Sequence, residues 1–404
     1  MSELELNIAD LVPPAEIAAR NQRLQQRLQQ RELPLAVVTH RVDLYYLAGA
    51  MPDAFLVARA DGDPIFLVRK SQTRTAVESP LSDQRPSRGL GTLIDLLREL
   101  TGDRPTKVGI DLDVLPAATY LRLTQSLPHI QWQDTGKLMR GLRATKSAWE
   151  IARQETAARQ VEAGYRAAMD VMREGVSETE LSVAVEGAMR KTGHHGLVRL
   201  RRPGLELYFP HIAFGASSAH PVSFDGPVGG EGLHPASGGG AGRRALQRNE
   251  TLMLDLVGID GGYVADIARL FCLGEPSDAT RRAHDFCREA LHRIEKLLVP
   301  GTPWGEVYAQ VDDWAKQNSE PEGFMGYGEN RVKFFGHGVG LELDEWPIIA
   351  RGFKQPLEVG HVVAVEPKAF TPALGPAGLE NTYVIEENGP RSLIDWTEEI
   401  TSVS

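Results

Sequence analysis

Cysteine is nearly absent: Cys272 and Cys287 are the only two among 404 residues. Two thiols cannot build a disulfide framework, so stability has to come from an ordinary core, and a reducing compartment is expected. Each is read as a small buried apolar residue. Long hydrophobic runs are absent as well. No window approaches the ~20 continuous apolar residues that a membrane helix needs, so no membrane partner is expected. The first ten residues, Met1 to Asp10, are acidic and lack the basic region and apolar run of a signal peptide. These absences together point to the cytoplasm. Positive charge is also in deficit: 44 Lys and Arg stand against 54 Asp and Glu, for a net charge of −10. That balance argues against a nucleic-acid partner, whose phosphates are bound through Lys and Arg. The short cluster Arg199, Arg201, Arg202 is read as a solvated or substrate-facing patch.

The chain exceeds what one hydrophobic core usually serves, so two domains are expected. Residues 15–33 have leucines at helical spacing, and Pro34 stops them. Short apolar runs follow at Leu35–Thr39, Leu44–Leu47, Ala54–Ala58 and Pro64–Val68, then a helix over Thr92–Leu100 with Thr92 as N-cap and a strand over Lys107–Ile110. This alternation predicts a small α/β domain over residues 1–142.

From residue 146 the texture changes. A long helix is predicted over Lys146–Arg173, stopped by Gly175, and Ser177-Glu-Thr-Glu180 is a capping box that opens a second helix. The plan recurs in Asp278–Val299, Pro300-Gly301 and a helix opened by Thr302-Pro303. Two such helical pairs, each joined to strand-rich sequence, predict a second domain over 146–404 built from two similar halves. Between the halves, Gly226–Gly242 leads into a strand and opens no helix. It is therefore read as a loop or lid and not as a phosphate-binding turn.

Carboxylates stand where apolar strands are predicted. Thr251–Gly258 and Gly262–Phe271 read as a hairpin closed by Asp260-Gly261. With 260 and 261 at the tip, Asp255 faces Asp266 directly, ~5 Å apart at Cβ. Like charges so placed are destabilising unless a cation or a shared proton relieves them, and the pair alone leaves both open. His337 lies in Phe334-Phe-Gly-His-Gly-Val-Gly340, where glycines permit close backbone approach. Glu366 ends the run Val362–Val365 before Pro367, and Glu380 opens Glu380–Ile385. A charge in such runs is costly unless paired or bound to metal. Five oxygen and nitrogen donors without sulfur suit Mn, Co, Fe or Zn.

The order of these residues resembles the pita-bread metallopeptidases, the family of methionine aminopeptidase, aminopeptidase P, prolidase and creatinase. The pattern is Asp, ten residues, Asp, then Gly-His-Gly-x-Gly, Glu-Pro, and Glu on a following strand. Arg143–Ile151 is similar to the opening of the catalytic domain, Leu44–Gly49 to a segment of the creatinase-type N-terminal domain, and Gly262–Phe271 to the family's Gly-Tyr-x-Ser-Asp-x-Thr-Arg-x-Phe. The resemblance implies a creatinase-like α/β domain followed by an α+β pita-bread domain with an internal pseudo-two-fold repeat. It also implies two divalent metal ions: Asp255 on one, His337 and Glu366 on the other, Asp266 and Glu380 bridging. A hydroxide shared by the ions would attack the scissile carbonyl, with Glu366 as general base. A short peptide with proline after the scissile bond, or a small amide, is the implied substrate, and a homodimer the implied assembly.

The sequence departs from that pattern in three places. Asp344 stands where these peptidases usually carry a second histidine. Gly378-Leu379-Glu380-Asn381 lacks the arginine and aspartate of Arg-x-Glu-Asp. A further histidine is expected about seventeen residues before the first aspartate, where this chain has Gly238, so His220 and His234 in the same loop are the candidate catalytic substitutes. These departures keep two other readings alive: a same-fold enzyme acting on a non-peptide C–N bond or a lyase substrate, and a metal-binding relative without catalysis.

Overall fold

The computed structural model describes residues 10–404; the acidic N-terminal stretch discussed above lies, but for Asp10, outside them. Compact units form over Met1–Arg143 and Ala144–Ser404. Among the described residues, no helix is long and apolar enough to cross a membrane.

The first unit runs α1 (Pro14–Gln30), β1 (Leu35–Val38), α2 (Arg41–Ala48), β2 (Ala54–Arg59), β3 (Ile65–Val68), α3 (Gln72–Glu78), β4 (Gln84–Pro86), α4 (Leu90–Thr101), β5 (Thr106–Ile110), α5 (Ala117–Ser126), β6 (Ile130–Asp134) and α6 (Gly136–Ala144). Its six strands form one mixed sheet in the order β4-β3-β2-β1-β5-β6. The core joins Val37, Val57, Leu67, Val108 and Ile110 of the sheet to Leu93 and Leu97 of α4. Two expectations change here. The run Leu44–Leu47 lies in helix α2, because a four-residue apolar run does not discriminate helix from strand. Gly49 ends that helix at φ +73° and donates to the Tyr45 carbonyl. The N-cap of α4 is Gly89, and the Thr92 hydroxyl instead accepts from the Arg88 N–H.

The second unit opens with α7 (Ala148–Val171) and α8 (Glu178–Lys191). Both start at capping boxes: Ser147 with Glu150, and Ser177 with Glu180. Gly175 between them takes φ +84°. The second half repeats this as α9 (Asp278–Leu297), Gly301 at φ +93° and α10 (Trp304–Gln317). After the first pair come β7 (His211–Phe214), β8 (Thr251–Asp260) and β9 (Tyr263–Leu273). After the second come β10 (Phe334–Gly338), β11 (Glu345–Ala350), β12 (Val362–Val365), β13 (Lys368–Thr371), β14 (Gly375–Gly378), β15 (Asn381–Glu386), β16 (Gly389–Ser392) and β17 (Thr401–Val403). One sheet is ordered β17-β9-β8-β7 and another β11-β10-β12-β15-β16, with β13 and β14 as a separate hairpin. Helix α7 lies so close on β8 that a Cβ on Gly258 would come within 1.9 Å of the Ala157 carbonyl.

The β8–β9 hairpin turns at Gly261-Gly262 and not at Asp260-Gly261. Asp260 pairs with Tyr263, and the two glycines take φ +55° and +85°. A tight turn of this kind needs positive φ at both central residues, which only glycine supplies without strain. Asp255 therefore pairs with Ala268 and Asp266 with Val257. The aspartates are diagonal neighbours. Because each pairing partner moved by two positions, the side-chain alternation is preserved and both remain on one face.

Candidate metal centre

Two sheets bring the carboxylates together. Asp255 and Asp266 stand on β8 and β9; His337 is on β10, Glu366 follows β12 and Glu380 precedes β15. Glu380 and Ala268 exchange backbone hydrogen bonds of 3.0 and 3.3 Å, stitching β9 to the segment before β15. The Thr382 hydroxyl adds a donation to the Asp266 carbonyl at 2.6 Å and accepts from the Asp266 N–H at 3.1 Å. All five expected ligands line one crevice, together with His211 and Asp344.

His337 is held in one orientation. Its Nδ1 lies 3.0 Å from the Leu343 carbonyl, which can only accept, so Nδ1 carries the proton and Nε2 presents a lone pair. Nε2 points into the crevice, 3.9 Å from Asp266 Oδ2 and 3.8 Å from Glu366 Oε1. The neighbouring glycines serve strand packing: a Cβ on Gly336 would meet the Ala364 carbonyl at 2.2 Å, and one on Gly338 the Trp346 carbonyl at 2.1 Å.

A ligand atom from each of Asp266, His337 and Glu380 can be chosen so that all lie within 4.8 Å of one another. Asp266 Oδ1 and Glu380 Oε1 are buried without a hydrogen-bond partner. Bare carboxylate oxygens in a dry site are expensive. Burial, and repulsion from the Glu380 and Asp255 carboxylates, push the Asp266 carboxyl far above its ordinary range. Burial, opposed by Lys368, leaves Glu380 pushed up to about 8. A divalent cation would reverse that balance by favouring the ionised forms. The donor set thus fits a divalent ion.

Sequence reasoning missed Lys368, which is fully buried in the centre. Its ammonium donates to Asp255 Oδ2 at 2.7 Å, Glu366 Oε2 at 2.9 Å and Glu380 Oε2 at 2.5 Å. Burial opposes its charge, but Asp255, Glu366 and Glu380 outweigh it and hold Lys368 protonated. The signal was available: a lysine two residues after Glu366, inside the apolar stretch Val362–Phe370, needs a partner as much as the glutamate does.

His220 and His234 do not reach the crevice. His220 is more than half exposed, faces Glu231 at 3.5 Å and borders a separate depression with Tyr327 and Pro372. His234 is exposed, its Nδ1 accepting from the Ala236 N–H at 3.1 Å. The crevice histidine besides His337 is His211, opposite Asp255 in the β7–β8 pairing, with Nε2 donating to the Gly229 carbonyl at 3.0 Å. Burial lowers its pKa, so the ring is neutral. The Gly226–Gly242 segment is a loop that follows a short 3-10 turn and leads toward β8, contributing Gly226, Pro227 and Val228 to the crevice wall.

The other departures also have physical accounts. Asp344 lies on the crevice with 48% of its side chain exposed, its Oδ1 3.7 Å from His337 Nδ1. Gly378 takes φ +102°, and a Cβ there would strike the Pro367 carbonyl at 2.5 Å, so an arginine does not fit. A buried arginine arrives from β9 instead: Arg269 donates to the Glu380 carbonyl at 2.7 Å and to Asn381 Oδ1 at 2.6 Å. Asn381 accepts that bond and donates onward to Tyr383 and Glu398.

The chain is 24% identical over 383 residues to a protein named Xaa-Pro dipeptidase from Pyrococcus furiosus, covering 94% of this chain and 99% of that one. A protein of the same name from Lactobacillus helveticus is 24% identical, with 91% and 94% covered. The fold is that of the dipeptidase PepE from Mycobacterium ulcerans, with a TM-score of 0.81, 23% identity and coverage of 98% and 100%. It is also that of the prolidase from Pyrococcus horikoshii OT3, with a TM-score of 0.77, 21% identity and coverage of 95% and 99%. Residues 20–145 match the Creatinase/Prolidase N-terminal domain. Residues 152–387, more than half of the chain, match Metallopeptidase family M24. The chain belongs to metallopeptidase family M24 and is a metal-dependent peptide hydrolase behind a creatinase/prolidase N-terminal domain.

Proposed function

We propose that this enzyme hydrolyses the amide bond before proline in short peptides, as an Xaa-Pro dipeptidase or aminopeptidase. The observation that carries the reading is the convergence of Asp255, Asp266, His337, Glu366 and Glu380 on one crevice, with two carboxylate oxygens lacking any partner. A divalent ion bound there supplies Lewis-acid polarisation of the scissile carbonyl and lowers the pKa of water. Mn, Co, Fe and Zn all suit a donor set of oxygen and imidazole nitrogen without sulfur.

The protein groups then divide the work. His337 offers Nε2, and Asp266 and Glu380 offer their unpartnered oxygens. Glu366 is the general base: Lys368 holds its Oε2, leaving Oε1 facing the crevice to take a proton from water and return it to the leaving amine. Neutral His211 and the apolar wall from Phe209, Phe224 and Val228 limit access of bulk water. Residence in the cytoplasm accords with two buried free thiols. A homodimer completes the reading.

Asp344 bears on specificity. An imidazole could donate to the substrate or to developing negative charge, whereas an ionised carboxylate accepts only and repels an anion. Its place on the crevice therefore favours a substrate with a positive group near the scissile bond, including a small non-peptide amide of that character. The test is a panel of neutral and cationic Xaa-Pro dipeptides, tripeptides and small amides given to the manganese-loaded protein. Xaa-Pro cleavage is expected, with cationic members preferred. Asp344→His is expected to raise the neutral-to-cationic kcat/KM ratio about tenfold, the equivalent of one lost charge interaction near 1.4 kcal/mol. Efficient cleavage of neutral dipeptides by wild type, with uniform loss in the variant, would refute the role of Asp344. Cleavage of no peptide but of a small amide would replace the peptidase reading.

A further inference from the structure

We propose that Lys368 is a built-in cation that takes the place of one of the two metal ions, so that the centre holds a single divalent ion. The inference rests on the metal-dependent reading above and concerns how many ions the site admits.

The oxygens of the centre divide into two sets. Asp255 Oδ2, Glu366 Oε2 and Glu380 Oε2 turn to the ammonium at 2.5 to 2.9 Å. An ammonium has three donors, and all three are used. Of the other oxygens, Asp266 Oδ2 and Glu366 Oε1 lie 3.9 and 3.8 Å from His337 Nε2, and one oxygen of Glu380 comes within 4.8 Å of ligand atoms of both Asp266 and His337. Asp266 Oδ1 and Glu380 Oε1 are buried without partners. The two residues that carry these buried unsatisfied oxygens are those that converge with His337, the one nitrogen ligand. Asp255, assigned by resemblance to the other ion, already has a cation on it.

Lys368 is buried and its backbone is held in place. Its side chain has no exposed surface. It is two residues beyond Glu366, so in extended chain both project to the same side. Its carbonyl accepts from the Met325 N–H at 2.8 Å, and its residue pairs with Gly378 across the β13–β14 hairpin. A Cβ on Gly378 would come within 2.6 Å of the Lys368 Cα, which shows how closely the two backbones are pressed.

Charge balance permits a single ion: Asp255, Asp266, Glu366 and Glu380 against the Lys368 ammonium and one divalent ion leave one negative charge. In this arrangement Asp255 positions Lys368, and Lys368 in turn orients Glu366 and Glu380.

The experiment is a count of bound manganese by mass spectrometry, paired with electron paramagnetic resonance, on full-length protein equilibrated with Mn(II). Wild type and Lys368→Arg are expected to bind one ion per chain and give the spectrum of isolated Mn(II). Lys368→Met, similar in length but uncharged, is expected to bind two and give the broadened spectrum of a coupled pair. Two ions in wild type overturn the proposal and leave metal-dependent hydrolysis standing. One ion in both wild type and Lys368→Met overturns the part given to Lys368. If Lys368→Met fails to fold, Asp255→Asn decides: the count stays at one if Asp255 serves the ammonium, and falls if Asp255 is a metal ligand. No ion in wild type is a different failure, that of the metal-site reading itself.

Discussion

Glu366→Gln is expected to lower turnover by about 10²- to 10⁴-fold, the usual worth of general-base catalysis, while the protein stays folded. The amide keeps the shape of the carboxylate, and its carbonyl oxygen can still accept from Lys368, 2.9 Å away in the native centre. It cannot take a proton from water at the position Oε1 now holds, 3.8 Å from His337 Nε2. The check is kcat on an Xaa-Pro dipeptide alongside thermal unfolding of both proteins. If turnover survives within about tenfold, the base is another group.

Asp266→Ala is expected to have the larger effect on metal. Removing a carboxylate that only supports a ligand typically weakens metal binding about 10- to 100-fold. Asp266 belongs to the group that converges on the ion, and its Oδ1 has no other partner. Manganese content after gel filtration should fall close to zero, and hydrolysis with it. The fold should tolerate the change, because Asp266 exchanges backbone hydrogen bonds with the Thr382 hydroxyl, and these do not use its carboxylate. Metal content equal to wild type would remove Asp266 from the ligand set.

Those side chains were legible in the sequence because each is a charge or a histidine in an otherwise apolar strand. The hairpin shows how such reasoning can misplace atoms and still select the right face. Moving the turn from Asp260-Gly261 to Gly261-Gly262 shifted the partners of Asp255 and Asp266 by two positions, and the alternation of a strand repeats every two residues. Counting along a loop has no such protection. The family spacing falls on Gly238 and leaves His220 and His234 as candidates only because they lie in the same loop, whereas the crevice takes His211 from β7, ahead of that loop. Lys368 was overlooked for another reason. It follows a proline at the start of β13, and its inward direction is shown by the full burial of its side chain. Leu44–Leu47 was ambiguous in principle, since four apolar residues fit one face of either a helix or a buried strand.

Dependence of peptide hydrolysis on a divalent ion in the crevice of Asp266, His337 and Glu380 is tested most directly by titrating Mn(II) into chelator-stripped wild type, following bound metal and cleavage of an Xaa-Pro dipeptide in the same samples. Negligible cleavage without metal is expected, with a rise that tracks occupancy of the site. Full cleavage by the stripped protein, or none at full occupancy across the substrate panel, would contradict that dependence.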